Sequence, residues 1–222
     1  MKISKRLRVI GDLVKDNSFI LDIGCDHALL DIYVVKNKKN IKAIASDINE
    51  KPLKIARENI KKYDAKNIKI TKKDGLESYE EGVDTIILSG LGSKTIVSIL
   101  KKDKDILTKI DKLIISSNND YLFLRKSICD LGFKIEEEQI IIDKNKYYPI
   151  IVFIKGKEKY NSFELKYGPV LLKNKDKVFK DYLKLNKKKL LKIYNSLSNK
   201  YFFKKYKIKK EIKLIDRIIR FT

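Results

Sequence analysis

Four aspartates stand where apolar runs end. Asp22 and Asp26 bracket Gly24-Cys25 in Phe19-Ile20-Leu21-Asp22-Ile23-Gly24-Cys25-Asp26-His27-Ala28; Asp47 closes Ile44-Ala45-Ser46-Asp47-Ile48-Asn49; Asp74 leads Lys73-Asp74-Gly75-Leu76-Glu77. Carboxylates accept hydrogen bonds and attract cations. A phosphate-binding turn avoids them, because its helix amides are meant for the ligand's own negative charge. Two acids beside Gly24 therefore suit a ligand with a positive charge and amine or hydroxyl donors, and S-adenosylmethionine has all of these. Asp47, 25 residues beyond Asp22, can accept both hydroxyls of a ribose diol, with Ile48 beside the same ligand. Its alternative reading is a partner for the dipole of the following helix. Asp74 can accept an exocyclic adenine amine while the Gly75 amide meets the ring. Taken alone, Asp-Gly is simply a turn.

Other nucleotide sites fit less well. The dinucleotide fingerprint needs three glycines, and here Asp26 and Leu29 hold two of the places around Gly24. Ser93-Lys94-Thr95 follows Gly90 too closely for a phosphate loop. Ser89-Gly90-Leu91-Gly92 does allow close backbone approach between a bound ligand and a second substrate.

The elements that must position these residues alternate. Apolar runs predict strands near 18–23, 41–46, 67–71, 83–89 and 111–116, and helical patterns fall near 4–15, 27–37, 50–63, 93–102 and 120–131. Asn49 is the expected N-cap of the third helix, with Pro52 in its first turn. Phe133–Asp143 and Tyr147–Lys155 read as a closing hairpin. The fold class is α/β: a mostly parallel, Rossmann-like sheet with one antiparallel closing strand. After Tyr167-Gly168-Pro169 the pattern changes to two stripes. Phe179, Leu183, Asn186, Leu190, Ile193 and Leu197 form one, and Ile208, Ile212, Ile215 and Ile219 the other, joined by residues 199–206. They predict an antiparallel helical hairpin. The expected domains are 1–156 and 160–222.

Of 222 residues 43% are hydrophobic, enough for a packed core, with no run near the length of a membrane span. Met1–Arg6 leads into an amphipathic pattern rather than a signal-peptide core. Cys25 and Cys129 match no metal spacing, so no metal is expected, and reduced thiols point to a cytoplasmic protein. The net charge is +22, unevenly spread: residues 155–222 hold 22 basic and 6 acidic side chains, a net +16, against +6 for residues 1–154. Only six of the 51 basic residues are Arg, as an AT-rich genome would give, but composition bias alone would spread the excess. A C-terminal module that meets a polyanion follows.

The order of these segments resembles the TrmK-type bacterial tRNA (adenine-22-N1)-methyltransferases. It is carried by Ser4-Lys5-Arg6-Leu7, Asp22 to Ala28, Asp47-Ile48-Asn49, Asp74 to Glu77, Gly90 to Ser93, Leu124-Arg125, Leu131-Gly132-Phe133, Tyr147 to Ile150, and Tyr167-Gly168-Pro169. Departures are Ser116-Ser117-Asn118, where the family usually has Gln-Pro-Asn, and Leu91 and Ser93 within the usual Gly-Met-Gly-Gly. The resemblance implies methyl transfer from S-adenosylmethionine to N1 of an adenine in the D-loop region of tRNA. A ring nitrogen has a free lone pair, so positioning and electrostatics supply most of the rate and no strong base is obligatory.

Cofactor contacts are expected at Asp22, Gly24, Asp26, His27, Asp47, Ile48, Asp74, Gly75, Ser89 and Gly90. His27, the single histidine, either polarises the target base or caps a helix as a neutral group. Tyr33 either holds the base or is a core tyrosine, and Asn118 ends the fifth strand on the substrate side. Arg125 either grips a phosphate or makes a surface ion pair. Lys5, Arg6, Lys187, Lys188 and Lys189 are the remaining candidates for tRNA contact. The alternatives are a methyltransferase for another substrate and a non-catalytic RNA-binding protein on the same scaffold. A monomer without membrane attachment is expected.

Overall fold

β1 (Phe19–Ile23), β2 (Lys42–Asp47), β3 (Ile68–Lys72), β4 (Thr85–Ser89) and β5 (Lys112–Ser116) run parallel, so their carboxyl ends share one edge of a seven-stranded sheet. β6 (Phe133–Asp143) and β7 (Lys146–Lys155) complete the order β3-β2-β1-β4-β5-β7-β6. β7 is the one reversed strand, antiparallel to β5 and to β6. The hairpin folds back so that β7 enters beside β5 and β6 lies outermost. Because β1 has β2 on one side and β4 on the other, chain order reverses there, and a crevice opens at the carboxyl ends of these strands. The computed structural model describes residues 1–220.

Side chains alternate across the sheet and sort into two layers. Leu21, Ile23, Ile86, Leu88, Leu113 and Ile115 pack with α4 (Ser93–Lys101) and α6 (Tyr121–Asp130). Ile20, Ala43, Ile87 and Ile114 pack with α1 (Lys5–Asp12) and α2 (Leu29–Asn37). A smaller cluster of Cys25, Ala28, Ala45, Leu53 and Ala56 seats α3 (Glu50–Lys62) close to the sheet through its small residues. α5 (Lys104–Lys109), which its short apolar pattern did not signal, is capped by Asp103. α2 starts two residues later than expected, since Ala28 is left-handed at φ 53°.

Two compact units divide at Val170–Leu171, later than the expected boundary. The reason is a buried ion pair in the first unit. Arg125 Nε donates to Glu138 Oε1 at 2.6 Å, and its Nη1 donates to the Leu165 carbonyl at 3.0 Å, while Glu138 Oε2 accepts from Val170 N at 3.0 Å. These bonds tie α7 (Ser162–Tyr167) and the first residues of α8 (Pro169–Asn174) to the sheet. Gly168 permits it: at φ 94°, a Cβ there would stand 2.6 Å from Glu138 Oε2.

The second unit pairs α9 (Lys177–Ser196) with α10 (Phe202–Arg220) through a short turn, and Lys187 Nζ binds Asp216 Oδ1 at 2.6 Å between them. Phe179, Leu183, Ile208, Ile215 and Ile218 are buried, but Ile193 is 45% exposed, so the far end of the first stripe stays uncovered. Residues 221 and 222 of the expected module lie outside the described residues. Among the described residues no helix is long and apolar enough to cross a membrane.

Candidate active site

The carboxyl ends of β1, β2 and β3 and the loop after β4 surround a cavity of about 570 Å³, within the usual size for a nucleoside-like ligand. Gly24, Asp47, Ile48, Asp74 and Gly75 line it, each placed by the end of its strand. Asp47 Oδ1 accepts from the Asn49 main chain at 2.8 Å and from the Asn49 side chain at 3.3 Å. The side chain expected to cap α3 thus orients the carboxylate instead. Gly75 is positioned by necessity: with φ 54°, a Cβ would meet Ile99 Cγ2 at 2.8 Å. Asp74 forms an exposed ion pair with Lys102, which also lines the cavity.

A second hollow of about 70 Å³ shares Gly24 and is lined by Arg6, Asp22, Asp26, His27 and Ser89. The His27 carbonyl accepts from Asn59 Nδ2 at 3.0 Å, and its Nδ1 stands 3.3 Å from Asp26 Oδ1. Ser89 Oγ is buried without a hydrogen-bond partner among the described residues. The Arg6 guanidinium lies 5.1 Å over the Tyr148 ring, 3.7–3.8 Å from where a Cβ on Gly90 would stand. Arg6 is thereby held at the mouth of the strand ends. Cys25 is no nucleophile, since burial and the neighbouring carboxylates push its thiol well above the ordinary range.

Behind the hollow sits an acid pair that only half showed in the sequence. Asp22 and Asp31 are both buried. Burial raises Asp31 to about 7, and burial together with Asp31, Asp47 and Asp26 raises Asp22 well above the carboxylate range. As two carboxylates neither could donate, and Asp31 has no hydrogen-bond donor from elsewhere among the described residues. A single proton shared by the two converts the pair to donor and acceptor. Sharing a proton, the pair carries one negative charge beside the hollow rather than two.

Several expected residues are elsewhere. Tyr33 donates to Asp12 Oδ1 at 2.7 Å and packs on Gly11 of α1, lining neither cavity. Asn118 is exposed and donates to the Gly90 carbonyl, so it braces the loop after β4. Arg125 is 2% exposed and committed to Glu138, so the expected phosphate grip is corrected to a structural tie. Lys5 is exposed on the first turn of α1. In the helical unit, Lys188 and Lys189 are exposed while Lys187 is spent on Asp216. The sequence reading missed the contribution of α4, whose Lys94, Thr95 and Ser98 line the large cavity, and Lys102 just beyond it. Their spacing of one, three and four residues marks one helix face, but lysine is too common here to single them out. Among the described residues no cluster of three His, Cys, Asp or Glu side chains could hold a metal ion.

The residues present fit S-adenosylmethionine: a carboxylate for a diol, a carboxylate and a close backbone for adenine, and a buried acid pair for a cation. Comparison with known proteins agrees. Residues 3–151 match the family described as a methyltransferase domain. The tRNA (adenine(22)-N(1))-methyltransferase of Bacillus subtilis is 32% identical over 187 residues, 81% of this chain and 79% of that one. A Streptococcus pneumoniae structure in complex with S-adenosyl-L-methionine superposes with a TM-score of 0.90 at 29% identity, covering 99% of this chain and 100% of the other. M. capricolum TrmK in complex with S-adenosyl-homocysteine gives 0.85 at 33% identity, with 99% and 100% covered. Alike in sequence and in fold over nearly its whole length, the chain belongs to the tRNA (adenine(22)-N1)-methyltransferase family.

Proposed function

We infer that this chain methylates N1 of adenine 22 in tRNA, using S-adenosylmethionine and releasing S-adenosylhomocysteine. The observation that carries the reading is the large cavity at the strand ends, with Asp47 and Asp74 on its wall and the Asp22–Asp31 pair behind Gly24. Asp47 would hold the ribose, and Asp74 with Gly75 the adenine. Asp22 would face the cationic end. When bound, the cofactor supplies an electrophilic methyl group that a neutral ring nitrogen accepts without prior deprotonation.

The chain's own work is then binding and orientation. Arg6, His27 and Ser89 surround the hollow beside Gly24, which suits them to steer the target base, and Asn118 holds the Gly90 loop that separates the two substrates. The lysine-rich second unit, with 18 basic and 4 acidic residues from Leu171 onward, would hold the tRNA backbone. Residues 1–170 are thus read as the methyltransferase domain and the rest as the tRNA-binding domain. The two free thiols suit the cytoplasm, and a monomer suffices because one chain carries both the cofactor cavity and the basic unit.

The test uses the purified chain, S-adenosylmethionine and an unmodified tRNA transcript, with a transcript carrying guanine at position 22 as control. Mass spectrometry of the digested RNA should find 1-methyladenosine only in the first. No product, or product in both, would overturn the reading.

A further inference from the structure

Among the described residues the three most exposed large apolar side chains cluster where α9 turns into α10. Tyr201 is 49% exposed, Phe202 60%, Phe203 71% and Tyr206 67%. Other exposed large apolar side chains of the first unit are scattered, as is normal for a protein surface. Here four aromatic rings fall within six residues, and the Phe202 and Phe203 rings stand 3.9 Å apart. Further along the same two helices Phe179, Leu183 and Ile215 are almost wholly buried, and Leu185, Leu191 and Ile193 are exposed only to 36–45%. An exposed aromatic patch of this kind marks a contact surface.

Its surroundings specify the partner. Residues 198–210 hold six lysines and no acidic residue. Lys200 lies 5.2 Å over the Tyr201 ring, and Lys205 5.1 Å over the Tyr194 ring. Flat rings interleaved with cations match a partner that alternates flat unsaturated faces with negative charge, which is an unpaired stretch of RNA. Aromatic rings also serve protein interfaces, but six lysines with no acid around them favour a polyanion with stackable faces over an uncharged groove. The tip is aromatic throughout its exposed apolar positions from 201 to 206.

We propose that the aromatic turn of the helical unit, Tyr201, Phe202, Phe203 and Tyr206, binds unpaired nucleotides of the RNA substrate by stacking. The inference rests on the tRNA reading above and adds a second kind of contact to it. The exposed lysines meet phosphates without regard to base pairing, whereas the rings need bases free of a duplex.

The experiment compares the full chain with F202L/F203L/Y206L, which keeps apolar bulk and helix propensity but removes the rings. Binding is measured to a tRNA transcript, to a single-stranded 12-mer and to a duplex of the same length, across a salt series. The variant should bind the single strand and the tRNA at least tenfold more weakly, bind the duplex as wild type does, and keep the wild-type salt slope. Unchanged titration with S-adenosylhomocysteine checks that the first unit is intact. F203Y/Y206F, which retains both rings, should bind like wild type. If the triple variant is insoluble, Y206L alone must show a selective, severalfold loss on single strands.

Equal binding of variant and wild type to single strands would overturn the proposal. So would an equal loss on duplex and single strand. Binding of wild type to anionic vesicles, or self-association in sedimentation, lost in the variant while RNA binding stays, would reassign the patch to lipid or to a second copy. If wild type methylates adenine 22 but the variant binds tRNA normally, the stacking proposal alone fails. If wild type methylates no tRNA, the parent reading has failed first.

Discussion

The strand-end cavity and the helical unit arrange their polar groups in opposite ways. In the first, single residues stand at unique places: Asp47 after β2, Asp74 and Gly75 after β3, and Asp22 buried within β1. Each is held by a parallel strand and by a specific neighbour, such as Asn49 against Asp47. In the second, charge is repeated along exposed helix faces, and Lys188 or Lys189 could be exchanged for a neighbour without altering the field much. A small ligand with fixed hydrogen-bonding groups rewards the first arrangement. A long polyanion rewards the second. One site should therefore fail at a single substitution, and the other should weaken by degrees.

Asp47→Ala is the sharpest test of that contrast. A ribose diol would lose two charge-assisted bonds at about 1.5–3 kcal/mol each, so calorimetric titration should detect no S-adenosylmethionine binding, with tRNA affinity kept. A single lysine substitution in the second unit with an effect as large would break the comparison. Arg125→Met comes next, and acts on stability. Leaving Glu138 buried without its partner should cost about 3–5 kcal/mol in denaturant unfolding. Since Arg125 faces no solvent, the salt dependence of tRNA binding should stay as it was. A variant of normal stability with weakened tRNA binding would return Arg125 to the substrate surface.

The acid pair predicts an effect of opposite sign to ordinary carboxylates. Asp31 is raised to about 7 and Asp22 is raised with it, so between roughly pH 4 and 7 the folded state holds more protons than the unfolded chain. Stability from this pair is full below that window and is lost as pH rises through it. Asp31→Asn should accordingly raise the melting temperature at pH 8 and raise it less, or lower it, at pH 5. Equal shifts at both pH values would mean that the two carboxyls do not share a proton. The smallest effects belong to the helical unit. Lys188→Gln with Lys189→Gln should flatten the log–log salt slope of tRNA binding by about 1.5. Lys187→Gln should change that slope little, and it should cost under about 1 kcal/mol of stability by freeing Asp216.

Apolar patterning is enough to say which runs become β1 to β5, and hence that Asp47, Asp74 and Gly24 meet at one edge. Parallel strands make this legible, because a residue just after an apolar run must lie at the carboxyl edge wherever its strand sits in the sheet. The amphipathic stripes of α9 and α10 were legible for the same local reason, a period that needs no knowledge of the partner. What depends on distance in the chain was not. Arg125 reads as a surface cation until β6 brings Glu138 beneath it, 13 residues on, and the backbone of α7 closes over both. Asp31 carries no signal of its own in the sequence and gains its partner only when α2 places it beside Asp22. Tyr33 reads as facing a substrate until α1 takes its hydroxyl. For Arg125 and Asp31 the deciding quantity is burial against another element, while for Tyr33 it is a partner on α1 in a hydrogen bond that stays exposed. Burial changes what a charge or hydroxyl does, because an unpaired polar group is costly only where water is excluded.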